Sequence, residues 1–233
     1  MANLAVALAA RGQSVLTVDL DPQNALRLHH QMPVQDISGI AIQSLRGEAW
    51  ASAAYRSSQG LTCLPYGALI EDDRLELERT LETNPRWLEQ GLSSLNLAPG
   101  SWVILDTPPG GTAYLRQALS LCDGAFAVLL PDAASFVTIP AMERWFSDYC
   151  RSRAEFRGGW YLVNRMNTAR VLCRDVLSAL QSQLGVKLVP QPVHFDAAVE
   201  EALASQAPVS HYAPDSIAAR EIGLVADWAL RQL

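Results

Sequence analysis

Short apolar runs of strand length alternate with segments of helical period from one end of the chain to the other, and this alternation constrains the fold more than any other feature. The runs are residues 14–19 (SVLTVD), 61–65, 102–106, 125–130, 160–164 and 186–190, each followed by helical sequence. Residues 2–11 read as a helix, with Leu4 and Leu8 one turn apart and Gly12 as its C-terminal cap. Two later helices declare an inner face: Met142, Trp145, Phe146 and Tyr149 recur at i, i+3, i+4, i+7, and so do Ile222, Val225, Ala226 and Ala229. Strands separated by helices require right-handed crossovers, which give a mostly parallel sheet covered on both faces. The expected fold is therefore doubly wound α/β, over residues 1–233 as a single domain, with residues 31–59 as its least regular insertion.

Composition narrows the function classes. At 233 residues with 49% hydrophobic and 18% charged side chains, the chain can bury a full core and is neither disordered nor fibrous. No apolar run approaches the ~20 residues that span a bilayer, and Met1 is followed by no basic segment or cleavage site, so a cytoplasmic protein is expected. Cys63, Cys122, Cys150 and Cys173 form no C-x-x-C pair and read as reduced thiols. A net charge of −6 argues against a nucleic-acid surface, so no DNA partner is expected. His29 and His30 are adjacent, but neighbouring side chains on a helix diverge by about 100°, which does not suit a shared metal.

In a doubly wound sheet, ligands bind outside the carboxyl ends of the strands, so the residues that end the strands carry the chemistry. Two strands end in aspartate: V-D-L-D-P-Q at Val18 to Gln23, and I-L-D-T-P-P-G-G at Ile104 to Gly111. A strand-terminal carboxylate followed by a small-residue loop is what a magnesium-nucleotide site needs. The carboxylate orders the metal and its waters, and the loop lets backbone N–H groups approach a terminal phosphate.

These two segments resemble the switch I and switch II motifs of the ParA/MinD superfamily of deviant-Walker P-loop ATPases, and the resemblance extends over the whole chain. In that family A-N-L-A-x-A-L-A-x-x-G-x-x-V-L-x-V-D-x-D-P-Q follows the phosphate loop, and residues 2–23 match it position by position. The resemblance implies ATP and Mg²⁺ as cofactors, with Asp19 helping to organise the metal and Asp21 positioning the attacking water. It also implies that Asp106 holds magnesium largely through water and that Gly110 sits near the γ-phosphate. Asn164, in Y-L-V-N-R, matches the family's adenine-reading Asn. The segment from Val189 to Ala219 resembles the last strand and base-covering loop, which would put Pro190 and Val193 beside the adenine.

One part of the pattern is missing. The family's K-G-G-V-G-K-T-T loop needs a lysine in a glycine nest, and Lys187, the one lysine here, enters a late strand with no glycine run before it. Met1 aligns with the end of that loop, so the numbered chain is expected to be truncated at its N-terminus, short of a central strand and its loop.

Within the superfamily the chain is similar to the BcsQ/YhjQ proteins of cellulose-synthesis operons. The segments that carry this are D-P-Q-N-A-L-R-L-H-H, C-L-P-Y-G at Cys63 to Gly67, L-S-L-C-D at Leu119 to Asp123, and H-F-D-A-A-V-E-E-A-L-A-S-Q-A-P-V from His194. That similarity implies an ATP-loaded homodimer that binds accessory proteins of the cellulose synthase complex and meets the inner membrane only through them. The competing expectations are a ParA-type DNA-partition or MinD-type positioning ATPase, and a nucleotide-free interaction scaffold. The C-terminal helix holds only Arg220 and Arg231 as cations, which does not suit a membrane-binding helix.

Overall fold

The computed structural model describes residues 1–57 and 60–233. They form two compact units, one of residues Met1–Leu121 with Leu203–Pro208, the other of Cys122–Ala202 with Val209–Leu233.

The first unit begins with helix α1 (Ala2–Ala9), whose Ala5 and Leu8 are buried, and the chain turns at Gly12, in the left-handed region at φ +83°. Strand β1 (Val15–Asp19) is buried along its whole length, as expected for the inside of a parallel sheet. After the short helix α2 (Leu26–His29) and α3 (Ile40–Arg46) come β2 (Tyr55–Arg56) and β3 (Thr62–Leu64). Then follow α4 (Glu71–Thr83), α5 (Trp87–Ser93), β4 (Trp102–Asp106) and α6 (Ala113–Leu119). The strand order is β2-β3-β1-β4, with β1 parallel to both β3 and β4 and β2 antiparallel to β3. The pairing of β2 and β3 gives residues 31–57 more regularity than their composition suggests; Ser58 and Gln59 lie outside the described residues.

Leu16, Val18, Leu64, Leu77, Leu81, Leu88, Trp50 and Trp87 make the core of this unit. Each such side chain contributes about 1.5–3 kcal/mol by leaving water. Two devices reconcile polar groups with that core. Ser44 Oγ accepts from the indole N–H of both Trp50 and Trp87, at 3.0 Å each, and donates to the Ile40 carbonyl at 2.7 Å. The Tyr66 and Tyr114 hydroxyls share a hydrogen bond of 2.7 Å with their rings edge to face. Residues 37–41 lie against 65–68 through Ile40 N–H to Pro65 O, Ala41 N–H to Tyr66 O and Ala68 N–H to Ile37 O. The approach is so close that a Cβ on Gly39 would fall 2.1 Å from the Gly67 nitrogen.

The second unit has β5 (Gly124–Leu129), α7 (Ala133–Phe136), α8 (Ile139–Tyr149), β6 (Gly158–Val163) and α9 (Val171–Leu184), followed by α10 (Ala197–Ala204), α11 (Val209–Tyr212) and α12 (Ile217–Gln232). Strands β5 and β6 pair in parallel from Gly124↔Gly158 to Leu129↔Val163. Leu129, Ile139, Tyr161, Val163 and Leu180 are central to its core, against which Met142 and Phe146 of α8 pack. On α12, Val225, Ala226 and Ala229 are buried, the face that the periodicity indicates.

The expected strand at 186–190 is not one. Residues Gly185–Lys187 form a 3₁₀ turn, and only a single parallel bridge, Tyr161↔Leu188, follows. The Val189 N–H still reaches the Tyr161 carbonyl at 2.9 Å, but Pro190 and Pro192 have no N–H to continue a ladder. Among the described residues, no helix is long and apolar enough to cross a membrane.

Candidate functional site

The two aspartate-ended strands are neighbours. In the β1·β4 pairing the register runs from Val15↔Trp102 to Asp19↔Asp106, so both terminal aspartates sit side by side at the same edge of the sheet. The pairing continues one residue further, with Leu20 N–H donating to the Asp106 carbonyl at 2.8 Å.

From that edge, residues 19–26 fold back on their own carboxylates. Asp19 Oδ1 accepts from the Asp21 N–H at 3.0 Å, and Oδ2 from the Leu26 N–H at 3.1 Å. Asp21 Oδ1 accepts from the Gln23 N–H at 2.9 Å, and Asn24, in the left-handed region at φ +51°, donates its N–H to the Asp21 carbonyl at 2.8 Å. Asp19 is thus buried and holds the loop, while Asp21 remains partly open to solvent at its crest. Across the edge, the loop after Asp106 runs through Gly110, exposed and at φ +87°, where nothing lies within 4 Å of a would-be Cβ. It enters α6 at Thr112, whose Oγ1 accepts from the Leu115 N–H at 3.1 Å.

The electrostatics of this edge favour an added cation. Burial pushes the Asp19 carboxyl up to about 7, and the Asp106 charge pushes the same way against the two backbone N–H donors. Asp106 is raised as well, chiefly by burial, with the nearby Met1 amino group acting in the opposite direction and Asp21 adding to the rise. Two desolvated carboxylates in register form a donor set that suits a hard divalent ion bound through water. Among the described residues, no cluster of three or more side-chain donors could hold a metal unaided, so water and phosphate oxygens would complete its shell. The phosphate half of such a site is not found within residues 1–233, which contain no lysine-bearing glycine nest.

The first unit therefore brings together Asp19, Asp21 and Asp106, with Gly110 on the loop that leaves Asp106. The second unit holds Asn164, Pro190 and Val193, of which Val193 lies beside the end of β6 that Asn164 follows. Asn164 follows β6 with its N–H on the Leu129 carbonyl at 2.8 Å, and Val193 donates to the Val163 carbonyl at 2.8 Å. Val193 is buried and Pro190 is exposed.

Sequence reasoning missed Tyr66 and Tyr114. Their hydrogen bond fastens α6, the helix that leaves the Gly110 loop, to the segment after β3, and Tyr66 lies within the electrostatic reach of Asp21. Tyrosines 48 residues apart in the chain carry no local signal of such a pairing.

Comparison with known proteins bears on the fold and on the family. Solved structures with the same fold include cobyrinic acid a,c-diamide synthase from Mycobacterium smegmatis with a bound ATP analogue and magnesium. That structure has a TM-score of 0.79 and 20% identity, over 99% of this chain and 87% of the other. The cell-division ATPase MinD from Pyrococcus furiosus has a TM-score of 0.71 and 23% identity, over 100% of this chain and 92% of the other. Both likenesses establish the P-loop NTPase-like α/β fold. The cellulose biosynthesis protein BcsQ of Salmonella typhimurium is 31% identical over 231 residues, 98% of this chain and 87% of that protein, and BcsQ of Escherichia coli K12 matches at the same identity and coverage. The model of the family "Cellulose biosynthesis protein BcsQ" matches residues 1–230, and the chain belongs to that family.

Proposed function

We propose that this protein serves bacterial cellulose biosynthesis as an ATP-dependent, dimerising switch that supports assembly or localisation of the cellulose synthase complex. The observation that carries the reading is the Asp19↔Asp106 register, with Asp21 at the crest of the loop between β1 and α2. Membership of the BcsQ family supports the pathway, and the ATP analogue and magnesium named for a structure of the same fold support the ligand.

Bound magnesium-ATP would supply the scissile phosphoanhydride and a charge for the carboxylates to neutralise. Asp19 and Asp106 would hold the metal's waters from the strand ends. Burial makes both carboxylates responsive to an added cation, because a charge beside them removes the cost of ionising in a dry site. Asp21 orients the attacking water: its Oδ1 is anchored by the Gln23 N–H, which fixes the direction of its other oxygen. Asn164, with Pro190 and Val193, receives the base. The protein works in the cytoplasm as a homodimer and reaches the inner membrane through accessory proteins.

The test uses the protein expressed from its own locus. Asp21→Ala should abolish ATP hydrolysis while nucleotide-driven dimerisation persists, and Asp106→Ala should weaken magnesium-dependent nucleotide binding itself. Turnover unchanged in the first variant, or affinity unchanged in the second, would remove the assigned roles. A nucleotide-free scaffold is the second reading, favoured by the lack of a lysine-bearing glycine nest within residues 1–233. Intact mass of the native protein separates the two: an N-terminal extension with a glycine-lysine loop supports the switch, and a start at Met1 supports the scaffold.

A further inference from the structure

Two loops of the first unit carry apolar side chains into solvent. Val34 and Ile37, ahead of α3, are each 56% exposed, and Ile70, ahead of α4, is 68% exposed. The chain brings the two loops side by side: the Ala68 N–H reaches the Ile37 carbonyl at 3.0 Å, next to the close approach of Gly39 and Gly67. Arg27 Nη1 donates to the carbonyls of Val34 and Asp36, at 3.1 Å each, and so fixes the turn that presents Val34.

Ile70 is the informative residue. It occupies the N-cap of α4 in extended backbone and gives the helix no side-chain cap, at a position where Ser, Thr, Asp or Asn accepts an orphan N–H. Neither capping nor burial therefore accounts for an isoleucine there. The rim around it is acidic: Asp36 precedes Ile37, and Asp72 and Asp73 lie in the first turn of α4. The neighbouring cation, Arg74, is held by Glu71 at 2.6 Å and by Glu78, so it does not compensate them. The helix dipole explains carboxylates in a first turn, but not an exposed apolar group at the cap.

We propose that Val34, Ile37 and Ile70, rimmed by Asp36, Asp72 and Asp73, dock a basic amphipathic helix of a partner protein. Charge complementarity selects this occupant. Carboxylates around an apolar centre attract the Lys and Arg that flank a helix's apolar face, and they repel the phosphates of nucleic acid and of anionic lipid. Residues 37–41 and 65–68 are hydrogen-bonded to each other, so the surface offers side chains rather than a strand edge, which suits a docked helix and not an added strand. A second copy of this chain, at net charge −6, brings carboxylates toward carboxylates. The surface needs no nucleotide.

The experiment uses the protein expressed from its own locus, without nucleotide, and a fluorescently labelled synthetic helix with Leu at i, i+3, i+4 and i+7 and Arg elsewhere, read by anisotropy. A second peptide carries Glu in place of Arg. The Arg peptide should bind, less tightly as salt rises, and the Glu peptide should not. Ile37→Ser combined with Ile70→Ser should weaken binding about tenfold or more. Val171→Ser, at an exposed apolar residue of the second unit, should leave it unchanged. Ile70→Ser alone separates binding from stability: its hydroxyl supplies the missing cap, so affinity should fall while the melting temperature holds or rises. No binding of the Arg peptide, equal binding of both peptides, or an affinity unmoved by the double substitution would overturn the proposal. So would a self-association or an anionic-vesicle binding that the double substitution abolishes, since either gives the surface to a different occupant. With no nucleotide present, failure here leaves the ATP-dependent switch untouched.

Discussion

Asp19 shows how one residue can serve both fold and function. It closes the 19–26 loop through two backbone N–H groups, yet its burial holds the carboxyl up to about 7. A carboxyl whose folded pKa lies above its unfolded value favours the folded state most when protonated. Its contribution is therefore complete below about pH 4 and is lost as pH rises through about 7, by up to about 4 kcal/mol. His30 runs the other way: burial, and then the charge of His29, push it down to about 4, and stability falls as it protonates below its unfolded value of 6.5. The informative measurement is therefore the difference in unfolding free energy between the parent and Asp19→Asn across pH 4 to 7, which should grow in the variant's favour with rising pH. A pH-independent difference would show that the carboxyl is already ionised. Ser44 is the second such residue. Ser44→Ala leaves the indole N–H groups of Trp50 and Trp87, both buried, without their acceptor, and should cost about 2–4 kcal/mol in denaturant unfolding.

At the scale of elements, the strand ends rather than the strands carry specificity. Apolar side chains along β1 and β4 could be exchanged within their volumes, but the register that sets Asp19 beside Asp106 depends on both strands ending together. The loops depend on close backbone contact. Gly39 is extended, at φ 174°, so its requirement is steric rather than conformational: an added Cβ would fall 2.1 Å from the Gly67 nitrogen. Gly39→Ala should pry residues 37–41 from 65–68 and lower stability by about 3 kcal/mol, visible as an earlier thermal transition. A melting temperature equal to the parent's would show that the two segments separate without cost. Helix α6 is tied to the same region by the Tyr114–Tyr66 bond, so the loosened segment should also increase hydrogen exchange at the start of α6.

For the molecule as a whole, the balance lies between carboxylates that are present and a phosphate cradle that residues 1–233 do not contain. Backbone N–H groups and a lysine normally compensate most of the charge on the β- and γ-phosphates. Titration of residues 1–233 alone with magnesium-ATP should therefore give no binding at micromolar concentrations, and micromolar affinity would place the phosphate site elsewhere in the chain. The sheets point to the same vulnerability. Among the described residues β4 pairs only with β1, and β5 only with β6, where Val128 is 56% exposed. Free edges beside exposed apolar residues favour association, so residues 1–233 alone should also lose monomer on mild heating.

The sequence by itself determined the α/β class, strands β1 and β4 to within a residue, and the aspartates that end them, because period and turn residues are local signals. It also carried the family, through motifs such as V-D-L-D-P-Q whose order along the chain survives at 31% identity. Only the tertiary structure decided that Asp19 and Asp106 stand opposite each other and that Tyr66 meets Tyr114. The same holds for residues 186–190, which end as a turn and one bridge rather than a strand. Each of these depends on groups far apart in the chain, or on whether a neighbour's ladder can continue past a proline. Pairing of that kind is settled by packing and desolvation across the fold, which no local window of sequence records.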